Sequence, residues 1–76
     1  MNVKNTVLEI ISAETKTPLK EIDLKADIRD MGIDSLATVE IVVAIEEQLG
    51  IEIPEDSVNE IIIIEDIIEI CQNLHS

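Results

Sequence analysis

The chain has 76 residues, a formal net charge of −12, no aromatic residue and one cysteine. Those totals allow one domain at most, with a modest core and no room for a deep substrate pocket beside catalytic machinery. They exclude an internal disulfide and an aromatic platform for stacking bases, and an apolar content of 46% excludes a disordered acidic tail.

The charge is unevenly placed. All five basic residues (Lys4, Lys16, Lys20, Lys25, Arg29) and five acids lie in the first 29 positions, so that segment is neutral. Residues 30–76 hold the other twelve acids and no Lys or Arg. Such a field repels nucleic acid and anionic membranes and attracts proteins with basic patches. A lone cysteine suits a reducing compartment. "MNVKNTVLEI" lacks the long apolar run of a signal peptide, and charges interrupt "IEIPEDSVNEIIIIEDIIEI" too often for a membrane span. The expectation is a soluble, cytoplasmic protein, monomeric by default.

The first amphipathic helix is expected over about Val3 to Glu14. Val3, Val7, Ile10 and Ile11 share a stripe with Leu8 at its edge, and Asn5, Glu9 and Ser12 lie opposite. A long connection follows, "TKTPLKEIDLKADIRDMGID". Pro18 can open a single turn there, capped by Thr17. Leu19, Ile22, Leu24, Ile28, Met31 and Ile33 are expected to pin the loop.

The second helix is expected over Ser35 to Leu49, stopped by Gly50. Ile41, Val42, Ile45 and Leu49 cover one arc and should face the core. Leu36, Val39 and Val43 form a separate apolar arc, with Glu40 and Glu47 on one border and Glu46 on the other. Pro54, Glu55 and Asp56 suit the start of a short third helix. The last helix is expected from about Ile63 to Leu74, with Ile63, Ile64, Ile67, Ile68, Ile70, Cys71 and Leu74 on its apolar half. Ile62 falls on the polar side, before the helix or exposed. No Ser, Thr, Asp or Asn immediately precedes this helix to cap it. The pattern predicts an all-α, four-helix bundle with a short third helix and a long first loop, one domain spanning 1–76.

Catalytic chemistry finds little to work with. A serine nucleophile needs a base, and the one histidine, His75, sits beside the last residue. Cys71 lies in an apolar arc and reads as core. Zinc lacks ligands, an EF-hand loop is absent, and two glycines cannot make a phosphate-cradling loop. What remains is Ser35 in "GIDSL". Asp34 or Ser35 can cap the second helix. A helix N-terminus also favours a covalently attached phosphate, and the acid-bordered apolar arc begins right beside the serine.

"GIDSLATVEIVVAIEEQLGIEIPED" closely resembles the acyl carrier proteins of bacterial fatty acid and polyketide synthesis. The likeness runs over nearly the whole chain, from the opening helix through "DSL", "VEIVVAIEE" and "IEIPED" to the closing helix. It implies that Ser35, beside Asp34, carries 4'-phosphopantetheine delivered from coenzyme A by a phosphopantetheinyl transferase. It implies that the arm holds acyl groups as thioesters, and that the acyl chain folds back between the helices. Partner enzymes with basic patches are then expected to dock on Asp34, Leu36, Val39, Glu40, Val43, Glu46 and Glu47, with Ile53, Glu55 and Asp56 adding contacts. Three positions depart from the fatty acid carriers: Ala37 replaces a common second acid, Leu49 a common aromatic, and Ile62 and Ile63 replace polar residues. They point to a specialised acyl or polyketide pathway as an alternative to primary fatty acid synthesis. The reading is a carrier and not an enzyme. Its rival is an acidic adaptor on the same fold that never receives the arm; a peptidyl carrier is a further alternative.

Overall fold

Asn2 starts the first helix by accepting a hydrogen bond from the Asn5 amide at 3.0 Å, and α1 runs over Val3–Thr15. In the computed structural model, which describes residues 2–75, three more helices follow: α2 (Ser35–Leu49), α3 (Glu55–Asn59) and α4 (Ile64–His75). Two 3-10 turns, Leu19–Glu21 and Ile28–Met31, punctuate the connection between α1 and α2. The fold is the expected all-α arrangement of four helices with a short third. The main packing contacts join α1 to α2 and α1 to α4; α3 makes no comparably extensive contact.

The interior is aliphatic. Val7, Ile11, Ile41, Ile45, Ile64 and Cys71 are fully buried, and no polar or charged side chain is buried among the described residues. Ile41, Val42, Ile45 and Leu49 are the buried residues of α2, the arc the wheel assigns to the core. Cys71 serves as a small apolar side chain, and burial pushes its thiol up to about 11. It stays protonated and unreactive at neutral pH.

Corrections concern ends and loops. Pro18 occupies the cap position of the first 3-10 turn, not its first residue, and no side chain caps that turn. Leu19 does not pin the loop, being exposed, and Leu74 is exposed as well. Ile28 and Ile33 are buried as expected, with Ile22, Leu24 and Met31 packed against the core. The second 3-10 turn has a local cause: the Asp27 carboxylate accepts from the Arg29 amide at 2.8 Å and pairs with the Arg29 guanidinium.

The start of α4 is satisfied from far along the chain. The Asp66 carboxylate reaches back to accept from the Ile62 and Ile63 amides at 2.9 and 3.0 Å. The Ile64 and Glu65 amides donate to the Ala26 and Leu24 carbonyls of the first loop at 3.1 and 2.9 Å, and Ile28 donates to the Ile62 carbonyl at 3.0 Å. A Lys25–Glu65 ion pair lies alongside. The Asp66 side chain and these backbone ties together serve a helix start that no polar side chain immediately before it can cap.

Candidate functional site

Gly32 ends the first loop in the left-handed region (φ 77°), and its amide turns back onto the Ile28 and Arg29 carbonyls. Ile33 is buried, so the chain is anchored one residue before Asp34. Asp34 is extended, and its side chain accepts from the Ala37 amide at 2.8 Å, while its carbonyl accepts from Thr38. The choice left open by the sequence is thereby resolved: Asp34 is the cap. Ser35 is the first helical residue and is exposed. Its hydroxyl makes no hydrogen bond to the described residues, whereas the Thr38 hydroxyl is held by the Asp34 carbonyl.

A free hydroxyl at the N-terminus of a 15-residue helix suits a phosphodiester. The Ser35 and Leu36 amides have no acceptor within the described residues, and the helix dipole places partial positive charge beside them. The residues present thus fit a phosphate-linked arm chemically, with an exposed oxygen to carry it and an electropositive helix end to neutralise it.

The side of α2 that leads away from Ser35 is apolar and uncovered. Leu36, Val39 and Val43 are 68%, 54% and 44% exposed. Glu40 and Glu47 are exposed nearby, and so are Glu55 and Asp56 on the first turn of α3. Two of the residues assigned to this face behave differently. Ile53 is buried, at 8% exposure, and works mainly as an anchor for the α2–α3 connection. Glu46 is half-buried, and its Oε2 accepts from the Ile53 amide at 2.8 Å.

Between α2 and α3 lies a cleft of about 430 Å³, walled by Val39, Val42, Ile53 and Val58 with Glu46 and Glu55 at its polar edge. Val58 was readable as an apolar residue in a short helix, but nothing in the sequence aims it toward Val39. A second unforeseen pairing sets Glu14 of α1 beside Glu40 of α2. Partial desolvation and then the Glu40 carboxylate raise the Glu14 carboxyl above its ordinary range. No group of three or more His, Cys, Asp or Glu among the described residues is placed to hold a metal ion. No helix among them is long and apolar enough to cross a membrane.

An accessible serine at a helix start and an acid-bordered apolar face suit a small helical carrier. Known proteins agree. Residues 5–71 match the family model described as a phosphopantetheine attachment site. The chain is 44% identical to the acyl carrier protein of Rhodopseudomonas palustris (strain TIE-1) over 64 residues, 84% of this chain and 77% of that one. It is 40% identical to the acyl carrier protein of Campylobacter hominis over 73 residues, 96% of this chain and 89% of that one. The chain belongs to the acyl carrier protein family. It is a non-catalytic carrier that bears phosphopantetheine, and the adaptor reading gives way to it.

Proposed function

We propose that Ser35 is the residue that bears 4'-phosphopantetheine. The observation that carries this is the division of work at the start of α2: Asp34 caps the helix and leaves the Ser35 hydroxyl exposed, with no hydrogen-bond partner among the described residues. The arm ends in a thiol, which holds an acyl group as a thioester. Asp34 orients the serine by fixing the first turn, and the open amides of that turn stabilise the phosphodiester, by about 0.3–1 kcal/mol at an exposed site.

Leu36, Val39 and Val43 form the apolar centre of the docking face, ringed by Asp34, Glu40, Glu47, Glu55 and Asp56. The partners are a phosphopantetheinyl transferase and enzymes that load, modify or remove the acyl group, each approaching with a basic patch. Opposite charge speeds encounter, and a small apolar centre keeps the complex short-lived, which a shuttle between enzymes requires. The cleft between α2 and α3 receives part of the acyl chain. The pathway is fatty acid synthesis or a related specialised acyl or polyketide route, and the protein works as a cytoplasmic monomer of one domain.

The test is intact mass after incubation with coenzyme A and a broad-specificity phosphopantetheinyl transferase. The native chain should gain one phosphopantetheine and Ser35→Ala none. No gain on the native chain, with a control carrier modified in the same tube, would sink the assignment. So would a gain that survives in Ser35→Ala.

A further inference from the structure

Glu46 stands on a border of the apolar arc of α2, where its charge alone would make it a docking contact. Its geometry says otherwise. The carboxylate turns inward to accept the Ile53 amide across seven residues, at 2.8 Å in a part-buried setting. Among the described residues this is the one hydrogen bond between a side chain of α2 and the segment leading into α3. The short helix that follows is lightly held. Pro54 gives α3 no side-chain cap, the helix is five residues long, and it packs extensively on no other element.

We propose that Glu46 is a positioning residue: its carboxylate latches the 51–54 segment to α2 and so sets how far the α2–α3 cleft opens to the acyl chain. The physical reasons are three. Ile53 has its side chain in the core, and its amide, in a part-buried setting, is met by the Glu46 carboxylate, so losing that acceptor leaves a partly desolvated donor unpaired. A hydrogen bond to an ionised acceptor is stronger than one between neutral groups. Finally, α3 packs extensively on no other element, and an element with few buried contacts opens at low free energy, so a hydrogen bond in the segment that leads to it weighs on its position beside the buried Ile53 side chain. Glu46 and Ile53 both line the cleft, so releasing the tie alters the cleft itself and not a distant surface. In this role Glu46 contributes little to docking, unlike its exposed neighbour Glu47.

The inference rests on the α2–α3 cleft as the acyl site, but its first test does not. In the unmodified protein, amide hydrogen exchange at Ile53 should be slow. Glu46→Ala should speed it by at least about tenfold, the loss of one ordinary-to-strong hydrogen bond, while Glu46→Gln, which keeps an acceptor oxygen, should restore most of the protection. Glu47→Ala should leave Ile53 unchanged. Far-UV circular dichroism checks that each variant folds, and Glu46→Gln supplies the comparison should Glu46→Ala not fold. In the second test, an octanoyl thioester on the arm should be cleaved faster by hydroxylamine in Glu46→Ala than in the native chain, with partial rescue in Glu46→Gln. Rapid exchange at Ile53 in the native chain, or unchanged exchange in Glu46→Ala, overturns the latch. Glu46→Gln weakening binding to a purified transferase as much as Glu47→Gln overturns it too, because Glu46 would then be a docking charge. Failure to load Ser35 would leave the Ile53 result standing and would count against the function instead.

Discussion

Two adjacent side chains at the start of α2 do different jobs, and substitution separates them. Asp34→Ala removes the cap on the Ala37 amide and should cost about 1 kcal/mol, lowering Tm by about 4–8 °C in a domain of this size. Asp34→Asn keeps a capping oxygen and should recover most of that loss. Ser35→Ala removes no hydrogen bond and should leave Tm nearly unchanged. Thermal melts followed by far-UV circular dichroism decide all three. Glu14 offers a pH experiment. Its carboxyl is raised by partial desolvation and by Glu40, so the folded state binds its proton more tightly than the unfolded chain does. That contribution is favourable at low pH and is lost as pH rises through the raised folded value. Glu14→Gln should therefore be more stable than the native chain at pH 7, and the difference should vanish as pH falls below the ordinary glutamate range. A Glu14→Gln variant less stable at pH 7 would contradict the pairing. Asp27 has the opposite sign: Arg29 lowers its carboxyl, so the stability it adds is lost as pH falls through that lowered value.

At the scale of elements, the weak point of α4 is its start. Asp66→Ala would free the Ile62 and Ile63 amides together, so amide exchange at both should accelerate and stability should fall by about 1–2 kcal/mol. The deep core tolerates less. Ile45 is fully buried in α2, and Ile45→Ala should cost about 2–5 kcal/mol, against a total of about 4–11 kcal/mol for a chain of this length. Chemical denaturation measures both. The helices themselves were legible in the sequence, because a spacing of three and four apolar residues declares which side each one buries. Ile41, Val42, Ile45 and Leu49 needed nothing more, and Gly50 marked the end of α2 as it marks it in the fold (φ 67°). The start of α4 was not legible. Besides the Asp66 carboxylate, its hydrogen-bond acceptors are carbonyls of Leu24 and Ala26, about forty residues earlier, and a carbonyl carries no side-chain signature. The inward turn of Glu46 was hidden for a related reason: charge and helical position place it on a border of the apolar arc, but only the folded path of residues 51–53 brings an amide within its reach. Ser35 could be singled out from sequence, whereas its freedom from capping depended on which of two neighbours bonded the Ala37 amide.

For the whole molecule, the charge of −12 acts in two directions. In the proposed function it steers basic partners to the protein, and it also repels itself, which weakens the compact state. Added sodium chloride screens both. Raising salt from about 20 to about 500 mM should therefore increase Tm while weakening binding to a basic partner. Affinity that stays flat across that range would remove the acidic face as the docking site. The backbone ties between the first loop and α4 have a mechanical consequence. Ser35 follows a loop that is laced to α4 through Leu24, Ala26 and Ile28. In the proposed function, a pull on Ser35 by an enzyme gripping the arm passes back through that loop into the start of α4, so the load is shared by hydrogen bonds between two elements and does not fall on the loop alone.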